Sequence, residues 1–340
     1  PRREGPRMRK VAVLGAGSWG TTFAKVLADG GSEVTLWARR SEVAREIRET
    51  NRNSDYLPGI NLPQNLGASD SMEKAVDGAQ QVYIAVPSQH LRGHLEQLGP
   101  QLASGTIIVS LMKGVEAGTS LRMSEVLASA GGFDPARIAV VSGPNLALEI
   151  AREQPTAAVA SSVDTDTATE VALAATNPYF KTFTNTDVVG TEFGGVLKNL
   201  IAVAVGIADG VGYGENTKAS IITRGLAEIS AFAAAFGAEP KTMSGLAGLG
   251  DLIATCESPL SRNNTAGRLL GQGHSFSDVV SSMNQTAEGL AAIAPVLALA
   301  KTKGIVMPIV TQVGQVLDGS RDPRELAPHF ATDSDEPEDE

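Results

Sequence analysis

One cysteine, Cys256, is all that 340 residues contain. No disulfide can form within the chain, which favours a reducing compartment, here the cytoplasm. Positive charge is also short, with Lys and Arg numbering 28 against 38 Asp and Glu for a formal net charge of -10. A general affinity for nucleic acid needs clustered cations and is not expected, although a local basic pocket is compatible with the total. No apolar run resembles a signal peptide or a membrane span. The richest stretch, 200–207, is too short and is closed by Asp209, so no membrane insertion is expected. His90 and His94 have the spacing of metal ligands on a helix, yet no third ligand follows in the sequence; a solvated face is a better reading than zinc. No repeat of fixed period is visible.

What is present suits a globular protein, with 42% hydrophobic residues and enough length for two domains with separate cores. Residues 1–10 are basic, and 332–340 form an acidic run with no apolar face; both read as solvated tails. Between them, strand-like segments at 10–14, 33–38, 81–86, 106–110, 138–142, 157–161 and 179–184 alternate with helical ones at 19–28, 41–50, 71–75 and 120–130. This alternation implies an α/β fold, a Rossmann-like doubly wound and mostly parallel sheet with its ligands at the carboxyl ends of the strands. After residue 190 the strand pattern stops, and 191–207, 217–236, 240–256, 261–270, 275–282, 286–303 and 309–317 read as helices broken by Gly, Pro, Asn or Ser. The expected organisation is a basic tail at 1–7, a dinucleotide-binding domain at 8–189, an all-helical substrate domain at 190–328 and an acidic tail at 329–340. A substrate cleft between the domains is the default expectation.

The first strand runs into Gly15-x-Gly17-x-x-Gly20 and then directly into a helix. A dinucleotide-binding turn needs that order. Gly15 permits the tight strand exit, Gly17 lets the backbone approach a pyrophosphate, and Gly20 allows close packing of helix on strand. The helix then offers N–H groups and its positive dipole end to the phosphates. The second strand normally ends in an acid that bonds the ribose 2′-hydroxyl of NAD. Here it ends in Arg39 and Arg40, whose planar forks suit a 2′-phosphate. NADP is the preferred cofactor on this reading; NAD is the alternative, because Arg can also stack on adenine.

Three ionisable residues stand among apolar or small neighbours. Lys113 follows a strand that reads as buried, Lys198 interrupts a helix apolar on nearly every face, and Asp251 follows the glycine-rich Gly245-Leu-Ala-Gly-Leu-Gly250. A buried lysine needs a partner, and Asp251 is the expected one. Desolvation lowers a lysine's pKa towards neutrality, where it can protonate a carbonyl oxygen or take the hydroxyl proton in reverse. Ser261-Arg262-Asn263-Asn264 opens a helix after a Pro-containing turn, which makes either a phosphate site or an N-cap beside a surface arginine. Cys256 lies close by in sequence without a His partner, and reads as a small core residue.

As a set, GAGSWGT at 15–21, AVPSQHLR at 85–92, KG at 113, SGPN at 142–145, LKN at 197–199, GLGDLIATC at 248–256 and SRNN at 261–264 resemble the NAD(P)-dependent glycerol-3-phosphate dehydrogenases of the bacterial type. The resemblance covers 10–317 and implies interconversion of sn-glycerol 3-phosphate and dihydroxyacetone phosphate for phospholipid synthesis. It implies Lys198 as proton donor and acceptor, with Lys113, Asp251 and Thr255 on the substrate side. Ser261, Arg262 and Asn263 would hold the phosphate, with Arg262 also near the cofactor. Ser18, Trp19, Arg39, Lys113, Ala147 and Glu288 match cofactor-contacting positions, and Gly143 a substrate-contacting one. Asn145 stands at a further substrate position, where family members often carry Ser or Thr. A homodimer is implied as well, and a helical second domain rich in apolar surface commonly pairs. Two rivals share parts of the pattern: another β-hydroxyacid-type dehydrogenase, for which SRNN has no special purpose, and a non-catalytic NADP sensor, for which a buried Lys198 has none.

Overall fold

The computed structural model describes residues 9–283 and 287–326. The tails at 1–7 and 329–340 lie outside the described residues, as does residue 286 at the start of the helix expected at 286–303. The chain divides into two compact units. The first takes the described residues up to Met112 together with Leu121–Val188; the second takes Lys113–Ser120 and the described residues from Val189 onward.

The first unit is built on strands β1 (Lys10–Leu14), β2 (Glu33–Trp37), β3 (Leu66–Ser69), β4 (Gln81–Ile84), β5 (Ile107–Ser110), β6 (Ile138–Ser142), β7 (Thr156–Ser161) and β8 (Phe180–Asn185). They form one sheet in the order β3-β2-β1-β4-β5-β6-β7-β8, parallel except where β6 meets β7. Its helices are α1 (Ser18–Asp29), α2 (Ser41–Thr50), α3 (Met72–Val76), α4 (Leu91–Leu98), α5 (Met123–Ser129), α6 (Ala147–Ala151) and α7 (Thr165–Ala175). Strands β4, β5 and β6 are buried along their whole length, so their sequences read as apolar runs rather than alternations. The period of two still sorts the side chains. Val11 and Val13 enter one cluster with Phe23 of α1, while Ala12 and Leu14 enter another with Leu91 and Leu95 of α4. The sequence pattern passes over β3, because Leu-Gly-Ala-Ser is short and weakly apolar. It forms by pairing with β2, from Val34 on Leu66 to Trp37 on Ser69. Strand order reverses between β1 and β4, which places the switch point at Gly15 and Ala85.

The second unit is helical: α8 (Val188–Val211), α9 (Glu215–Ala235), α10 (Pro240–Met243), a π turn (Leu246–Gly250), α11 (Asp251–Glu257), α12 (Arg262–Gly271), α13 (Phe276–Ser282), α14 (Glu288–Thr302) and α15 (Pro308–Leu317). Two sequence expectations need correction. The apolar stretch 200–207 is part of a 24-residue helix, long and apolar enough to cross a membrane; 89% of its apolar window is buried inside the protein, so α8 is a core helix. Leu197, Leu200 and Ile201 on it are fully buried among Ile229 and Phe232 of α9, each worth about 2 kcal/mol of apolar burial. The single helix expected at 240–256 is three pieces, because the backbone changes to an i→i+5 bond from Gly250 N–H to the Gly245 carbonyl at 3.0 Å. Only glycine allows this turn: a Cβ on Gly248 would stand 2.0 Å from the Met243 carbonyl oxygen.

Glycines also let the helices of this unit touch backbone to backbone. An added Cβ would meet the Asn264 carbonyl oxygen at 2.2 Å from Gly206, and that of Arg268 at 2.2 Å from Gly210. From the facing side, Gly267 and Gly271 would meet the carbonyls of Val203 and Ile207 at 2.2 and 2.3 Å. Helices α8 and α12 therefore cross on paired small residues four apart. Gly194 of α8 makes the same kind of contact with Ala247 of the π turn, at 2.3 Å. Through these contacts α8 fixes both segments that flank its own Lys198 and Asn199.

Candidate active site

In the first unit, the turn after β1 has the geometry that its glycines suggest. Gly15 has φ 116°, and a Cβ there would meet the Ala85 carbonyl oxygen at 2.7 Å; one on Gly20 would stand 1.9 Å from the Gly15 carbonyl oxygen. At Gly17 a Cβ meets nothing within 4 Å, so its backbone faces open space at the start of α1. The first-turn N–H groups of α1 have no carbonyl behind them within the helix. Ser18 donates from its hydroxyl to the Tyr56 carbonyl at 3.0 Å, and the Trp19 indole donates to the Leu111 carbonyl at 3.2 Å. One residue that no sequence pattern singles out completes the turn. Asn53, fully buried, donates to the Ala16 carbonyl at 3.0 Å and to Thr21 Oγ1 at 2.8 Å, so the segment after α2 clamps the loop.

Arg39 and Arg40 are both exposed at the end of β2 but are not equivalent. Arg40 pairs with Asp55 at 2.5 Å and with Glu42 at 3.7 Å, and lies 5.7 Å from the Tyr56 ring centroid. No hydrogen bond or ion pair engages Arg39 among the described residues. The strand lacks a terminal acid, yet the loop after α2 brings one to the same place.

Gly143, after β6, has φ 140° and lies so close to β7 that a Cβ would stand 3.1 Å from Ala158 Cα. Both polar atoms of the Asn145 side chain are buried without a hydrogen-bond partner among the described residues. A buried amide in that state costs free energy until a ligand meets it. Ala147 opens α6, and its carbonyl accepts from Thr22 Oγ1 at 3.2 Å. The open backbone at Gly17 and the helix start fit a nucleotide-bearing ligand.

In the second unit, Lys198 Nζ donates to Asp251 Oδ1 at 2.7 Å and to Thr255 Oγ1 at 2.5 Å. Lys113 Nζ reaches the other oxygen of the same carboxylate, Oδ2, at 2.6 Å. Asp251 is 1% exposed and Lys198 is 7% exposed, so two ammonium groups share one buried carboxylate. Thr255 Oγ1 donates back to the Asp251 carbonyl at 2.6 Å, which fixes its lone pairs towards the lysine. An ammonium carries three donors, so Lys198 keeps one for another acceptor. Burial is the main force on its pKa, opposed by Asp251 and helped by Lys113, and lowers it to about 8. Glu288, at the start of α14, is pushed up by burial against the pull of the Arg262, Lys113 and Lys198 cations.

Ser261 is the N-cap of α12, its hydroxyl oxygen accepting from Asn264 N–H at 3.2 Å. Its own O–H proton is still available to a ligand. Arg262 is exposed at the first helical position. Asn263 is buried and already committed: Oδ1 accepts from Gly289 N–H at 2.9 Å, and Nδ2 donates to Asn199 Oδ1 at 2.9 Å. Asn199 is the tie that the sequence reading missed; only its place beside Lys198 hinted at it. Cys256 lies in the helical core, its thiol pushed up to about 12 by burial, which makes it inert as a nucleophile. His94 packs edge-on against Trp37, at 5.3 Å between ring centroids.

Residues 10–168 match the family model described as the NAD-dependent glycerol-3-phosphate dehydrogenase N-terminus, and residues 187–328 match that of the C-terminus. The chain belongs to this dehydrogenase family. Among similar dehydrogenases, the glycerol-3-phosphate dehydrogenase (NAD(P)+) of Leifsonia xyli subsp. xyli is 67% identical over 96% of this chain and 89% of its own length. That of Streptomyces griseus is 51% identical over 97% of this chain and 98% of its own. The solved glycerol-3-phosphate dehydrogenase of Coxiella burnetii superposes with a TM-score of 0.89 at 35% identity, over 96% of this chain and 99% of that one. The dehydrogenase family accounts for both parts of the geometry, the nucleotide turn and the buried lysine, and neither rival reading is favoured.

Proposed function

We propose that this chain interconverts sn-glycerol 3-phosphate and dihydroxyacetone phosphate with NAD(P)H, NADPH being preferred, and so supplies glycerol phosphate for phospholipid synthesis. The observation that carries the choice of substrate is the hydrogen bond from Asn263 to Asn199. It ties the start of α12 to the residue next to Lys198, so a phosphate held at the helix end and a carbonyl held at the lysine belong to one short molecule. Ser261, Arg262 and the first-turn N–H groups of α12, including that of Asn263, take the phosphate.

When bound, the nicotinamide supplies the hydride that reduces the carbonyl carbon. Lys198 gives the proton that the carbonyl oxygen needs and takes the hydroxyl proton in the reverse direction. With a pKa of about 8 it is mainly charged at neutral pH and still able to release its proton. Asp251 holds both lysines, Thr255 aims Lys198, and Lys113 faces the reacting end and adds positive charge where the oxygen becomes anionic. Gly15, Gly17, Ser18, Trp19, Gly20, Arg39, Arg40, Ala147, Lys113, Arg262 and Glu288 serve the cofactor; Gly143 and Asn145 serve the substrate. The preference for NADPH is supported by the two guanidiniums after β2. The enzyme acts as a cytoplasmic homodimer, a reading supported by the apolar helical unit, the lone cysteine and the family resemblance; a monomer mass in solution scattering would refute the dimer.

The test is a substrate comparison followed by NADPH absorbance. Dihydroxyacetone phosphate is turned over, and unphosphorylated dihydroxyacetone loses about two orders of magnitude or more in kcat/KM, the phosphate being the main binding handle. Equal rates for both ketones, or no turnover of either, would overturn the reading.

A further inference from the structure

The two arginines after β2 differ in one respect that the sequence does not show. Arg40 is held by Asp55, Oδ2 to Nη2 at 2.5 Å, while Arg39 has no such partner among the described residues. Asp55 is not placed there by chance contact of a loose loop. Its neighbours Asn53 and Tyr56 are fastened to the dinucleotide turn, Asn53 through the Ala16 carbonyl and Thr21, Tyr56 through the hydroxyl of Ser18. The loop thus carries a carboxylate and an aromatic ring to the end of β2, where the adenine ribose of a dinucleotide lies in this fold.

We propose that Asp55 is a specificity-determining residue for the cofactor: it competes with a 2′-phosphate for Arg40, which weakens that arginine's share in reading the phosphate beside Arg39 and keeps NADH within reach. This rests on the dinucleotide reading of the first unit. A carboxylate at that place can also accept a hydrogen bond from a free 2′-hydroxyl, the role that an acid at the end of β2 fills in other dinucleotide folds. The pair is also easily opened. The side chains of Arg40 and Asp55 are 42% and 58% exposed, and exposed ion pairs contribute little to stability. Arg40 can therefore leave Asp55 for a phosphate at small cost, and the brake on NADPH is modest rather than absolute.

The test is calorimetric binding of 2′,5′-ADP and of 5′-AMP, fragments that report the ribose end without turnover. D55N tightens 2′,5′-ADP relative to 5′-AMP by about three- to fivefold, the size of one exposed pair, and the gain shrinks as salt is raised. In R40A/D55N the gain disappears. The ratio of kcat/KM for NADPH over NADH moves in the same direction. Equal effects on the two fragments, no effect of D55N, or a gain that survives the loss of Arg40 would overturn the proposal while leaving the dinucleotide reading intact. Failure of the unaltered protein to bind either fragment would overturn both.

Discussion

At Gly17 an added Cβ would meet nothing within 4 Å, whereas at Gly206 it would meet the Asn264 carbonyl oxygen at 2.2 Å. At Gly17 the missing side chain leaves open space; at Gly206 it lets two helices touch. Charge is placed differently as well: the guanidiniums at the end of β2 are exposed, while in the helical unit the buried Lys198 and the half-buried Lys113 share one buried aspartate. Recognition in the first unit is therefore cheap to alter without harming the fold, and chemistry in the second is bound up with stability.

That contrast can be broken at several points. D251N removes the charge that both lysines share, and kcat for reduction should fall by about 100-fold or more. Asp251 also holds the Lys198 pKa up, so the alkaline limb of the reduction profile should move from near 8 to lower pH. A rate unchanged across pH 6–9 would show that the pair is only structural. G206A should cost about 3 kcal/mol in denaturant unfolding, since backbone carbonyls cannot withdraw as a flexible side chain can. G17A, at an ordinary φ of -74°, should leave the melting temperature nearly unmoved and raise the KM for NADPH about tenfold. If G17A destabilised as much as G206A, the two glycine roles would not be distinct.

A second buried carboxylate of the helical unit sharpens the comparison. Glu228 of α9 accepts from the N–H groups of Ile309 and Val310 at 2.9 and 3.0 Å, capping α15, and burial raises its pKa to about 7. A raised carboxylate binds its proton more tightly folded than unfolded, so its contribution favours the fold at low pH and is lost as pH rises through 7. The stability margin of the unaltered protein over E228Q should shrink by about 2 kcal/mol or less between pH 5 and 8, read from thermal melts. The turnover profile should stay that of Lys198.

Much of this was legible in the sequence where local chemistry decides. The strand-Gly-helix junction at 10–20, the helix from Ser41 to Thr50 and the apolar surroundings of Lys198 depend on residues adjacent in the chain. The lysine–aspartate partnership could be anticipated because a buried ammonium needs an anion. What could not be read depends on distant pairing. Strand β3 exists because β2 offers it an edge, the π turn because Gly248 meets Met243, and the Asn199–Asn263 tie because two helices cross on glycine. Arg40 looked like the twin of Arg39 because Asp55, 15 residues later, carries no local signal of where it folds.

The proposed role of Lys198 is to give and take the substrate proton. Its most direct test is turnover of dihydroxyacetone phosphate with NADPH by the unaltered protein and by K198A, each first shown to be folded and to bind 2′,5′-ADP. The expected result is turnover that declines above about pH 8 in the unaltered protein and a loss of about 1000-fold in K198A with nucleotide binding retained. Full activity in K198A would contradict it.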